Sequence, residues 1–273
     1  MDDVITTAVL RVVEDMQENL GEPLTIDDLA RTAMFSKFHF SRIFQRVTGL
    51  SPGRFLSAVR LREAKRLLTS TTLTVTDISH RVGYSSVGTF SSRFAGSVGL
   101  SPSRYRRFES LTPPEHRAAA PGHHATTPGH RATTPGTTTT PGTTTTTVRG
   151  LISSPLDDRP VFAGLFPDSI LEGWPIRYTV LSRPGPYVLK DVPEGTWHLI
   201  VQSAAAGRED AIEHPARGDE GLCIGRHGPI TVQPGAAATA HADIRLRPMS
   251  VLDPPVLLAL RELVAAELAG VRN

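Results

Sequence analysis

The chain has 273 residues, a net charge of +2 and a single cysteine, Cys223. That length holds two ordinary domains, and one cysteine excludes a disulfide framework or a thiolate metal cluster within the chain. No run approaches the roughly 20 apolar residues of a membrane span. The opening MDDVITTAV carries acids where a secretory leader carries basic residues, so the expected location is cytoplasmic, with no membrane partner. The charge is unevenly spread: residues 1–110 sum to +4 and residues 111–273 to −2. Between Ser36 and Arg66 eight basic residues accompany one acid, Glu63, and from Arg81 to Arg107 there are five arginines and no acid. Such segments suit a polyanionic partner, or else form a solvated basic face.

In chain order, Val4 to Leu20 reads as a helix, with Val9, Val12, Val13 and Met16 at helical spacing and Gly21 and Pro23 stopping it. Thr25 reads as an N-cap, with Asp27 and Asp28 in the first turn of a short helix that ends near Ala33. Ser36 then caps a second helix. On it Phe40, Ile43, Phe44 and Val47 share one stripe, while Phe38, Ser41, Arg42 and Gln45 share the nearly opposite one. The first stripe is a core face. The second carries an aromatic, a hydroxyl, a guanidinium and an amide, groups that hydrogen-bond base edges and pack on thymine methyls. Two helices joined by a tight turn, the second basic and amphipathic, make a helix-turn-helix. Ser51-Pro52 start a further helix to about Leu68, with Phe55, Val59, Leu61, Ala64 and Leu68 as candidate buried positions.

The pattern then repeats. LTIDDLARTA at 24–33 returns as LTVTDISHRV at 73–82. Phe40, Phe44, Gly49, Ser51, Pro52, Arg54 and Phe55 return as Phe90, Phe94, Gly99, Ser101, Pro102, Arg104 and Tyr105, with one residue inserted near Gly88. The face that holds Phe38, Ser41, Arg42 and Gln45 in the first unit holds Gly88, Ser91, Ser92 and Ala95 in the second. The signature running from Ile78 through Gly83-Tyr84-Ser85, Phe90, Phe94, Gly99, Ser101-Pro102 and Tyr105-Arg106 resembles the AraC/XylS family of bacterial transcription regulators, over about residues 4–108. The resemblance implies sequence-specific binding of double-stranded DNA and control of transcription, with RNA polymerase, a small-molecule effector and a second copy of the chain as further partners. It places base contacts on Phe38, Ser41 and Arg42, and on Val87, Gly88, Thr89, Ser91 and Ser92 after Ser86. Gln45 joins the first set from its place on the stripe. Lys37, Arg46, Arg54, Arg93, Arg104 and Arg106 are phosphate-contact candidates, with Arg54 and Arg104 alternatively bracing the helices after the Ser-Pro turns. The small groups of the second unit offer few donors, so the first unit is expected to specify sequence and the second to position the duplex.

Residues 109–147 repeat Pro-Gly among Thr, Ala and His, with no apolar face to bury, and are expected to be a disordered linker. Residues 148–247 read as all-β. PVFAGLF at 160–166, IRYTVLS at 176–182, GTWHLIVQSA at 195–204 and TAHADIRLR at 239–247 are strand-like runs between Pro/Gly turns. They suggest a β-sandwich. YVLKDVPEGTWHLIVQ is similar to prealbumin-like or carboxypeptidase-regulatory-like sandwiches. VLLALRELVAAELAG, from Val256, reads as a terminal amphipathic helix with Leu257, Leu260, Val264 and Leu268 on one stripe.

The expected fold is thus multidomain, α plus all-β: a double helix-turn-helix domain (1–108), a linker (109–147), and a β-sandwich with a C-terminal helix (148–273) that senses or interacts. Catalytic residues, cofactors and metals are not expected. Cys223 and His227 are four apart, but a strand cysteine is most often a small buried hydrophobe. A rival reading gives residues 148–273 an enzymatic or a carbohydrate- or protein-binding role, with Trp174, Trp197, Tyr178 and Tyr187 as the large aromatics available to a sugar.

Overall fold

The structure is a computed structural model in which residues 2–111, 146–155, 159–204, 222–233 and 239–258 are described. Its N-terminal part is helical: α1 (Asp2–Glu18), α2 (Ile26–Thr32), α3 (Lys37–Thr48), α4 (Pro52–Ser70), α5 (Val75–Arg81), α6 (Val87–Val98) and α7 (Pro102–Leu111). Local chemistry sets the boundaries. At the start of α2 the Thr25 hydroxyl oxygen accepts the Asp28 N–H while the Asp28 carboxylate accepts the Thr25 N–H, a capping box. Thr74 and Asp77 do the same for α5. Pro52 opens α4, where its missing N–H has no helical partner to lose. Ser36 precedes α3 as expected, but its hydroxyl makes no capping bond; Ser86 before α6 does cap, accepting the Thr89 N–H at 3.4 Å. Both α3 and α6 end on a glycine in the left-handed region, Gly49 at φ 81° and Gly99 at φ 89°, a conformation that strains other side chains.

The internal repeat is carried at matching places. Met34 and Gly83, in the turns before α3 and α6, both have positive φ. Phe35 N–H donates to the Ala30 carbonyl, and Tyr84 N–H to that of Ser79. These counterparts are 49 positions apart, whereas the N-caps Ser36 and Ser86 are 50 apart. The inserted residue is therefore Ser85, inside the turn, three positions before Gly88. Phe40, Ile43, Phe44, Phe55, Val59, Leu61, Ala64 and Leu68 are buried in one core together with Phe90, Phe94 and Tyr105, and Val47 packs half-buried against it. Phe44 meets Phe55 edge-on at 5.4 Å, and Phe94 meets Tyr105 at 5.7 Å. The packing of α3 on α4 is thus repeated by α6 on α7.

The rest of the described chain is strand-rich: β1 (Thr146–Ser153), β2 (Val161–Phe166), β3 (Arg177–Leu181), β4 (Pro186–Val192), β5 (Gly195–Ala204), β6 (Leu222–Val232), β7 (Thr239–His241), β8 (Ile244–Arg245) and β9 (Arg247–Pro248). They form two sheets. One runs β4-β1-β7, with β8 also on β1; the other runs β3-β2-β5-β6-β9. Val148, Ile152 and Leu189 from the first sheet pack with Val161, Leu165, Leu199, Val201 and Cys223 from the second. The second sheet buries its other face too: Phe162, Phe166, Ile200 and Ile224 lie under Leu171, Met249, Val256 and Leu258. Burial on both faces is why β2 is an unbroken apolar run.

Several expectations change. Thr146 and Thr147, assigned to the linker, belong to β1, and Thr146 is buried; a threonine repeat hides a strand because threonine favours strands for its branched side chain. At the other end α7 reaches Leu111. Between them, 112–145 lie outside the described residues. The strand expected at 239–247 is broken into three pieces, although Ala242, Ile244 and Leu246 are buried. Ile176, expected within the third run, precedes β3 and is exposed. The terminal helix was expected from Val256, but Pro254–Leu258 are irregular and 259–273 lie outside the described residues.

Candidate nucleic-acid interface

The base-reading stripe predicted on α3 is open. Phe38 is 86% exposed, an unusual position for a phenylalanine with a core beside it. Arg42, Gln45 and Arg46 are exposed, and their side chains make no hydrogen bond or ion pair among the described residues. Ser41 is half-buried and its hydroxyl donates back to the Lys37 carbonyl at 2.9 Å. Lys37 itself pairs with Asp27 at 3.0 Å on the surface. The core stripe on the opposite side fixes the direction of these groups, because Phe40, Ile43 and Phe44 anchor α3 from beneath.

On α6 the matching surface is smooth. Gly88, Thr89, Ser92 and Arg93 are exposed; Val87, Ser91 and Ala95 are half-buried. Ser86, carried as a DNA-contact candidate, is the helix cap. Arg93 is the one exposed charge on α6, on the flank of the stripe.

The phosphate candidates divide sharply. Arg104 is exposed and its side chain is unpartnered among the described residues. Arg106 is half-buried and donates to the carbonyls of Leu68 at 3.1 Å and Leu73 at 2.6 Å. It ties α7 to the end of α4, which sets it apart from the exposed phosphate candidates. Arg54 is half-buried and ion-paired with Asp168, with Glu172 at 3.7 Å from its other nitrogen. Burial works against the Asp168 charge, yet hydrogen bonds from Arg54 and the Ser169 N–H hold its carboxyl below the ordinary value. The basic count between Ser36 and Arg66 therefore overstates the free charge. Arg60 donates to the carbonyls of Leu20 and Glu22, Arg66 is bonded to Glu63, and Lys65 is buried with its ammonium 5.6 Å from the Tyr105 ring centre. Asp168, Ser169 and Glu172 carried no signal in the sequence beyond a turn. Their partners lie on α4, on α6 and on the Gly49 cap of α3, over a hundred positions away in the case of Arg54.

Cys223 is fully buried while His227 is exposed, and no cluster of three or more metal-ligand side chains occurs among the described residues. The aromatics are dispersed: Tyr187 is buried with its hydroxyl on the Ala242 carbonyl, Trp197 donates to Pro193, Tyr178 stacks on Phe162, and Trp174 lies against Gly99. No described helix is long and apolar enough to cross a membrane.

Residues 29–107, which hold both stripes, match the helix-turn-helix domain family. The HTH-type transcriptional activator AarP of Providencia stuartii is 34% identical over 91 residues, covering 33% of this chain and 67% of that protein. The chain belongs to the AraC/XylS family. Another of its AraC-type relatives, an "Uncharacterized HTH-type transcriptional regulator" of Haemophilus influenzae, is 39% identical over 110 residues, which is 40% of this chain and 36% of that one; the chain spans about a third of that relative's length. Among solved structures, the DNA-binding domain of AdpA, "the global transcriptional factor, in complex with a target DNA", is 30% identical with a TM-score of 0.38, covering 39% of this chain and 96% of that one. The AraC-type match ends at Arg107, so both sheets lie beyond it.

Proposed function

We propose that the chain is a sequence-specific DNA-binding regulator of transcription that reads double-stranded DNA with two helix-turn-helix units, α2–α3 and α5–α6, and carries the β region as a sandwich-like sensing or interaction domain. The observation that carries this is the open stripe of α3: Phe38, Arg42 and Gln45 stand exposed and uncommitted above a fully buried aromatic core. Arg42 and Gln45 supply the bidentate groups that distinguish guanine and adenine in the major groove, and Phe38 supplies an apolar contact for a thymine methyl. The second unit presents small residues plus Arg93. It lets the backbone approach closely and holds the duplex through phosphate, so sequence preference rests mainly on the first unit.

Selection of bound sequences from a random duplex pool with the full chain tests this. The expected result is a bipartite site with one stringent half and one permissive half about a helical turn, roughly 34 Å, away. Arg42→Ala should cost about 1–3 kcal/mol on the selected site and relax preference at one position. An equal loss on every sequence reassigns Arg42 to phosphate. Failure to enrich any sequence removes the reading.

A further inference from the structure

The segment between β2 and β3 crosses the helical part at the C-terminal ends of both reading helices. Ser169 donates its hydroxyl to the Gly49 carbonyl at 3.2 Å, next to the end of α3. Gly173 N–H donates to the Ser97 carbonyl at 2.8 Å, and the Ser97 hydroxyl donates to Glu172 at 3.0 Å, at the end of α6. Ile170 between them is buried in the helical core, and the Trp174 indole lies over Gly99. From this seat Asp168 and Glu172 both reach Arg54.

The internal repeat supplies a comparison inside one molecule. Arg54 and Arg104 hold the same position, third in the helix that follows each Ser-Pro turn. Arg104 is exposed and unpartnered among the described residues, whereas Arg54 is enclosed by two carboxylates. A guanidinium held by carboxylate oxygens is engaged in the same charge-assisted fork it would offer a phosphate. The base-reading stripe of α3 stays open at the same time.

We propose that the Asp168–Glu172 loop is an autoinhibitory contact, in which two carboxylates occupy the phosphate-binding group of the first DNA-reading unit. It rests on the DNA-binding reading given above. In the docked state the first unit lacks the phosphate contact that Arg104, the counterpart of Arg54, keeps free in the second. Release of the loop frees Arg54. Because the loop joins β2 to β3, any ligand or partner that shifts those strands changes the DNA affinity of the helical part.

The test titrates the full chain and its Asp168→Asn/Glu172→Gln variant against the selected duplex, from roughly 50 to 200 mM salt. Both substitutions keep shape, and thermal melting checks the fold. The variant should bind about tenfold more tightly at low salt, with a log–log salt slope steeper by about one unit. Adding Arg54→Ala should abolish the gain. Asp191→Asn/Glu194→Gln, which removes two exposed charges elsewhere, should not reproduce it. Equal or weaker binding by the loop variant, a gain that survives loss of Arg54, or an equal gain from the control pair overturns the proposal and leaves the loop a structural brace. A wild-type chain and variant that both bind no duplex overturn the function reading, and this proposal with it.

Discussion

Arg104 and Arg106 show how much two positions along a helix change. A step of two residues turns the side chain by about 200°, so one points outward and the other toward the neighbouring helix. Arg104 is free to meet a phosphate, while Arg106 satisfies the Leu68 and Leu73 carbonyls. Arg104→Ala should leave the melting temperature near wild type and flatten the salt slope by about one unit. Arg106→Ala should do the reverse, costing about 1–3 kcal/mol of stability, because it strands two acceptors in a partly buried place, while the salt slope stays unchanged. Parallel melting and salt titrations of the two variants separate the roles; a flattened slope for Arg106→Ala would return it to the phosphate set. The α3 stripe was legible in the sequence because a core face and a reading face leave opposite periodic traces. The commitments of Arg106 and Arg54 were not, since an arginine's partner depends on what tertiary packing brings within reach.

Among the elements, the short helices α2 and α5 depend most on single residues, since seven residues are too few for a helix to persist without caps or packing. Their capping boxes depress the carboxyls of Asp28 and Asp77, chiefly through the hydroxyl and then the backbone N–H of Thr25 and Thr74. The sign follows from the direction. A carboxyl lowered in the folded state adds stability that is fully present above the ordinary value of 3.8 and is lost as pH falls through the lowered folded value. Acidification below about pH 4 should therefore raise amide exchange in α2 and α5 before it does so in α4, and Asp28→Asn should remove that response from α2 alone. Exchange in α2 that keeps its acid response in Asp28→Asn would assign it to another group. These caps could be read from spacing, as Thr-x-x-Asp ahead of an apolar run. The Ser85 insertion could be placed only to within a few residues, because a turn tolerates an added residue at several sites with little change in pattern. β1 was missed for a different reason: its first residues continue a threonine tract whose composition masks the strand.

For the molecule as a whole, composition describes two bodies and a low-complexity stretch between them, and it carries no information on whether the bodies dock. The contacts that join them come from isolated side chains. Ile170 leaves the sheet region to enter the helical core, and Leu257 joins it there. The backbone is fastened as well, with the Gly173 N–H donating to the Ser97 carbonyl at the end of α6. Leu257 had been legible only as part of an amphipathic helix stripe, since periodicity identifies an apolar face without naming what covers it. These insertions make the stability of the helical part depend on residues well outside the AraC-type match. Ile170→Ala should cost about 2–5 kcal/mol, the range for truncating a large aliphatic side chain in a core. It removes the side chain that the sheet region inserts into the helical core, so amides of α4 and of β2 should lose exchange protection together, in a single cooperative unfolding transition. Two separate transitions, with α4 protection unchanged by Ile170→Ala, would mean that the helices form their core alone, and the loop could then leave Arg54 without disturbing them. A shared transition means instead that releasing the loop costs part of the core, which makes the docked state the resting one and sets the strength of signal needed to open it.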